Sequence, residues 1–171
     1  AALATTFKIA QTRQFQALQK QILTNSKALA DRLQDRGLRI SFGGTDSHLA
    51  NLDCKTIVGP DGTTLSGDMA ARILDIAGIV LNRNTIPGDK TALNASGIRF
   101  GTPWMTQRGL KEKEMQEVAD IMADILFAIT PYTVATATYS PGMSAYGVGD
   151  QIWELTAENA PVPVTNQTGW L

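Results

Sequence analysis

The residues that most often carry chemistry are scarce in this sequence. A single cysteine, Cys54, occurs among 171 residues. One cysteine forbids a disulfide within the chain and removes any cysteine-based zinc site. Such sparse use fits a reducing, cytoplasmic setting. Charge of one sign is also missing. Fifteen basic and 16 acidic side chains leave a net charge of -1, with a sequence pI of 5.8. That balance offers no electrostatic footprint for nucleic acid or an anionic membrane. No apolar run reaches the ~18 residues that a membrane-spanning helix needs. The opening AALATTFKIAQTRQ lacks the basic start, apolar run and cleavage site of a signal peptide. Its alanine-rich, helical character and the lack of an initial Met predict that the sequence starts inside a longer protein.

What remains is an ordinary globular composition, 43% apolar and 18% charged, enough for a core. Leu18, Ile22, Leu29 and Leu33 recur at helical spacing and predict a long amphipathic helix over 14–36, with Gly37 as a left-handed cap. Residues 38–42 and 48–54 alternate as two strands able to pair across the turn Gly43-Gly44-Thr45-Asp46. After a loop at 55–64, Ser66 caps a helix that Gly78 stops. Ile79-Val80-Leu81 reads as a short buried strand, 82–89 as a polar loop, and 96–101 as a further strand. Pro103 starts a short helix, and a helix over 111–129 carries Met115, Val118, Met122, Ile125 and Ile129 before Pro131 ends it. The order predicts an α+β fold, with long helices on one face of a small, mostly antiparallel sheet. Residues 1–131 form the domain. Residues 132–171, rich in Thr, Ser, Pro, Gly and Val, read as an extended tail, partly disordered or packed on a partner through Tyr139, Tyr146, Trp153 or Trp170.

The sharpest chemical feature is Arg99 within SGIRFGTP. A guanidinium cannot shed its proton, so an apolar strand holding one calls for an anion. The planar fork suits a carboxylate, and the flanking glycines allow another group to approach closely. A structural ion pair and a solvated edge-strand arginine are the alternatives. In the loop 82–89, Asn82 and Asn84 either read a planar, amide-bearing ligand or satisfy their own backbone. His48, the only histidine, is either a general base or a hydrogen-bonded structural residue. Asp46 and Asp53 have no fixed separation. The run RGLKEKEMQE is a solvated helix face, and GGTD lacks the context of a phosphate loop.

Three ordered blocks, SFGGTDSHLANLD, VLNRNTIPGD and SGIRFGTPWMTQRG, make the sequence resemble the C-terminal part of serine hydroxymethyltransferase, a pyridoxal-phosphate enzyme of the aminotransferase fold type. AALATTFK and NSKALADRLQDRG resemble that family's entry into its small domain. The likeness covers about 1–129. It implies interconversion of serine and glycine with one-carbon transfer to or from tetrahydrofolate. It implies pyridoxal phosphate held mainly by a large domain, and a homo-oligomer partner. Arg99 takes the role of binding the substrate carboxylate, Asn84 lies near the folate, and His48 stays structural. KTALNA, residues 90–95, differs from the family's Pro-Lys-Ser-Pro-Phe-like stretch and is one residue shorter, so no folate contact carries over there. The family's Schiff-base lysine sits in a Thr-His-Lys block that is missing here, which predicts that this chain alone is inactive. Another enzyme of the same cofactor fold type, or a non-catalytic carboxylate-binding or assembly domain, are the rival readings.

Overall fold

A computed structural model of the chain describes the backbone of residues 1–133 and 151–155 and the side chains of residues 1–129. Helix α1 spans Ala2–Ala10 and α2 spans Arg13–Asp35. Thr12 starts α2 by accepting the Phe15 amide at 3.2 Å. Gly37, at φ +88°, ends it: the Gly37 and Leu38 amides fold back onto the Gln34 and Leu33 carbonyls at 2.8 and 3.0 Å, a closure only glycine makes cheaply. Helix α3, Gly67–Ile76, begins at Ser66, whose hydroxyl accepts the Met69 amide. Pro103 opens the short α4, Pro103–Gln107. In α5, Glu112–Ala128, the Glu114 carboxylate reaches back to the Lys111 amide at 2.8 Å, satisfying an orphan donor of the first turn.

Four strands, β1 (Arg39–Ile40), β2 (Leu49–Asp53), β3 (Asn82–Asn84) and β4 (Gly97–Gly101), form one sheet in the order β1-β2-β4-β3, antiparallel throughout. Ile40 faces Leu52, Leu52 faces Ile98, and Ala50 faces Phe100. All five are buried in one cluster with Leu29 and Leu33 of α2, Leu74 of α3, and Met115, Met122 and Leu126 of α5. Each fully buried aliphatic side chain contributes about 1.5–3 kcal/mol. The α+β architecture with helices on a small antiparallel sheet is as the sequence predicts.

Three boundaries differ. The strand expected over 38–42 stops at Ile40, and Ser41–Gly43 turns as a 3-10 helix. Within it Phe42 lies at φ +64°, ψ +10°, and is 84% exposed; for a bulky residue that left-handed conformation costs about 1–2 kcal/mol. The buried strand expected at 79–81 does not form. The Gly78 and Ile79 amides still bond to Asp75 and Leu74 to finish α3, Val80 is 78% exposed, and pairing with β4 begins only at Asn82. Finally, α5 ends at Ala128, and β5 (Ile129–Thr133) runs through Pro131 as a strand paired antiparallel with β6 (Gln151–Leu155). The tail contacts expected from Tyr139, Tyr146, Trp153 and Trp170 lie outside the described side chains.

Polar groups lock the helix layer. Buried Asn25 of α2 donates to the Thr106 hydroxyl and the Leu110 carbonyl at 2.9 and 2.8 Å, while Thr102 donates to the Ile22 carbonyl at 2.9 Å. These bonds tie the end of β4 and α4 onto α2. Arg32 grips Asp120 with two bonds of 2.9 and 3.1 Å, and Arg36 reaches Asp120 and Asp124. Arg32, with Arg36 second, holds the Asp120 carboxyl below its usual range. No helix among the described residues is long and apolar enough to cross a membrane.

The tightest approach of helix to sheet is at Gly67, whose amide donates to the Ala95 carbonyl at 2.9 Å. A Cβ there would overlap the Gly97 carbonyl oxygen and stand 2.9 Å from that of Ala95. Both obstacles are backbone and cannot rotate away. Gly67→Ala is therefore expected to destabilise the protein by about 1–3 kcal/mol, read as a lower urea midpoint. An unchanged midpoint contradicts this packing.

Candidate functional site

Directly opposed residues of an antiparallel pair share a face, so burying Ile98 and Phe100 sends Arg99 to the other side. Asn51, Arg99 and Asn82 form one row across β2, β4 and β3. Arg39, Asp53, Gly97 and Asn84 form the adjacent row. The sheet therefore has an apolar face under the helices and a polar face of arginine, asparagine and aspartate opposite.

Arg99 is exposed. No carboxylate lies within ion-pair distance of it and no hydrogen bond holds it among the described residues. The internal ion pair is thus not realised, and β4 is an interior strand, not an edge. Other arginines do find acids: Arg39 bonds Asp53 at 2.5 Å and Arg83 bonds Asp68 at 2.9 Å. The glycines beside Arg99 do accommodate close neighbours, but these belong to the chain itself. A Cβ on Gly97 would overlap the Ile86 methyl Cγ2 and lie 2.9 Å from the Asn84 carbonyl oxygen; one on Gly101 would lie 2.7 Å from Leu49 Cδ2 and 3.0 Å from the His48 carbonyl oxygen.

Residues read as the start of a loop, 82–84, are strand β3. Its alternation brings Asn82 and Asn84 to the face of Arg99 and sends Arg83 to α3. Asn84 is half-buried, and its Nδ2 donates to the Thr85 carbonyl at 2.8 Å. His48 is exposed. Its carbonyl accepts the Thr102 amide at 3.3 Å, while its ring has no partner among the described residues. The structural link at this position is made by the backbone, not the imidazole.

Asn51 was not singled out by motif, although the alternation of HLANLDC puts it opposite Ala50 and Leu52. It forms the floor of an open groove of about 490 Å³. Phe42 lines one side, and Ile86, Pro87, Lys90 and Ala92 line the loop side. Its Oδ1 is buried with no hydrogen-bond partner among the described residues. A second, larger groove of about 580 Å³ lies between α2 and the start of α5 and shares no residue with the polar sheet face.

Asp89 staples the loop that borders this groove. Its carboxylate accepts the Ile86 and Ser96 amides, each at 2.9 Å, and the Ser96 hydroxyl, with Lys55 Nζ at 3.7 Å. Burial pushes its pKa up, but Ser96, Ile86 and Lys55 outweigh that and bring it down to about 2. Cys54 is fully buried, and burial, with Asp53 second, pushes its thiol well up. No cluster of three metal-ligating side chains occurs among the described residues. Lys55 is half-buried and the other six lysines are exposed. None is held in the dry pocket that a covalently attached aldehyde cofactor requires.

Comparison with known proteins matches residues 1–122 to the family described as serine hydroxymethyltransferase. Among individual relatives, "Serine hydroxymethyltransferase" of Bombyx mori is 45% identical over 122 residues, 71% of this chain and 25% of the relative. "Putative serine hydroxymethyltransferase, mitochondrial" of Neurospora crassa is 46% identical over 128 residues, 71% of this chain and 22% of the relative. "Serine hydroxymethyltransferase 3, chloroplastic" of Arabidopsis thaliana is 44% identical over 122 residues, 71% of this chain and 22% of the relative. The chain spans about a quarter of the length of the curated relatives it matches.

The Asp89 staple predicts a pH signature. A carboxyl lowered from 3.8 to about 2 on folding contributes stability that is full above pH 3.8 and fades as pH falls through 2. Asp89→Asn is expected to cost about 1–3 kcal/mol at neutral pH. Its deficit against the parent protein should shrink between pH 4 and pH 2 in parallel urea titrations. A deficit constant with pH removes the ionised staple.

Proposed function

The chain belongs to the serine hydroxymethyltransferase family, and from that premise we propose that residues 1–131 are the C-terminal small domain of such an enzyme, with 132–171 as its tail. The complete protein would interconvert serine and glycine with one-carbon transfer to or from tetrahydrofolate. The observation that carries this reading is Arg99: a guanidinium with no partner among the described residues, on the polar face of an interior strand, inside the matched residues. Its fork takes the amino-acid carboxylate in two parallel hydrogen bonds and thereby fixes the orientation of the bond to be broken. Asn84, one row away on the same face, is the folate-side residue.

Pyridoxal phosphate, when bound to the complete enzyme, supplies the electron sink. This chain's lysines do not fit the group, so the rest of the polypeptide would hold it. The same missing part, and a second subunit, are the proposed neighbours of α1, which buries none of its residues and exposes Leu3, Phe7 and Ile9. A cytoplasmic location is the reading favoured by sparse cysteine; the names of the Neurospora crassa and Arabidopsis thaliana relatives point to organelles for those proteins, and cell fractionation decides for this one.

In the complete enzyme, Arg99→Ala or Arg99→Lys is expected to weaken serine binding about ten- to a hundred-fold, the worth of a charge-assisted contact of roughly 1.5–3 kcal/mol. Unchanged serine affinity shows that Arg99 is not the clamp. Residues 1–171 alone, freed of contaminating enzyme, are expected to show no turnover of serine with tetrahydrofolate; measurable turnover overturns the assignment of the cofactor to the rest of the protein.

A further inference from the structure

Two polar groups on the polar sheet face lack partners among the described residues and stand beside one another. Asn51 and Arg99 are directly opposed across β2 and β4, which places their β-carbons about 4.5–5.5 Å apart. Asn51 Oδ1 is buried with nothing among the described residues donating to it. A guanidinium has five N–H groups in a rigid fork, and a carboxylate held in two parallel bonds takes only two of them. The remaining donors need acceptors if the fork is to keep one plane; of the two amides opposed to Arg99, Asn82 is exposed to water, whereas Asn51 offers a buried, bare acceptor. Aspartate at this position would be a permanent rival for the guanidinium. A neutral amide can orient the charge without cancelling it. Lys90 lines the same groove as Asn51 but is exposed and free to remain in water; Arg39, one row away on the same face, is taken by Asp53.

We propose that Asn51 is a positioning residue for Arg99, its Oδ1 accepting a guanidinium N–H and setting the plane of the fork when a carboxylate binds. The inference rests on the reading of Arg99 as the carboxylate clamp. It assigns Asn51 no contact with the substrate or with the reacting atoms. Its effect is therefore confined to ligands that carry a carboxylate.

The test uses the complete enzyme and equilibrium titration by the change in cofactor absorbance, with serine as one ligand and ethanolamine, the same amine and hydroxyl without the carboxylate, as the other. Asn51→Leu, close in size but without an acceptor, is expected to raise the dissociation constant for serine about tenfold and to leave ethanolamine unchanged. Asn51→Asp is the second variant. It should pair with Arg99 and lower serine affinity further at neutral pH, relative to the parent enzyme, with recovery as the pH falls and the new carboxyl takes up its proton. An equal loss for serine and ethanolamine in Asn51→Leu overturns the proposal, because Asn51 then serves another partner. Parent-like serine binding by Asn51→Asp at every pH overturns it too, because the guanidinium is then out of reach. Arg99→Lys separates the two readings. If it leaves serine binding intact, the clamp itself fails; if it weakens binding while Asn51→Leu does not, only the role of Asn51 fails.

Discussion

The interior strand β4 has two faces of opposite character, and the remaining structure depends on keeping them apart. Ile98 and Phe100 are locked beneath the helices by Leu52 and Ala50 on one side and by the buried surfaces of α2, α3 and α5 on the other. A slip of one residue in pairing would reverse every side chain. Arg99 would then enter a dry core in which no acid waits for it, at the cost of burying an unpaired charge. The apolar core therefore does more than stabilise the domain. It determines where the one unpaired charge on this strand can point.

The polar face is kept open by what does not stand on it. Gly97 and Gly101 carry no side chains where Ile86, the Asn84 carbonyl, Leu49 and the His48 carbonyl press closest. The strand can thus be crowded at both ends while its middle stays clear. The loop after β3 is held over one end by Asp89, whose carboxylate gathers two amides and a hydroxyl around one buried charge. Two further acids at the sheet, Asp53 and Asp68, are occupied as well. Asp53 is taken by Arg39 and Asp68 by Arg83 and Arg72. Neutralising the neighbours in this way leaves Arg99 as the free cation of its row among the described residues, so the carboxylate proposed to bind there would meet one defined partner instead of a diffuse field.

Reading the sequence alone succeeded where a signal is local. The cap at Thr12 was not foreseen, but the helix that follows it, the caps at Ser66 and Gly78, the start at Pro103 and the alternation of β2 and β4 all sit in short-range pattern, because helix ends and pleats are decided by neighbouring residues. It failed at Ile79-Val80-Leu81, whose apolar run looks like a buried strand although Ile79 bonds back to the end of α3 and Val80 is exposed, and at 82–84, where a polar triplet looks like a loop although β4 offers it an edge to pair with. Both errors have one cause: strand identity is conferred by the partner.

What the sequence by itself determined is the set of elements, their amphipathic faces and the presence of an arginine that an apolar strand cannot bury unpaired. Those follow from spacing and from the fixed charge of a guanidinium. Only the tertiary structure decided that no acid among the described residues meets Arg99, that Asn51 and Asn82 flank it, and that Asp89 staples the adjoining loop. Each of those facts joins residues from different parts of the chain, through strand register and through hydrogen bonds that exist only once the sheet has closed.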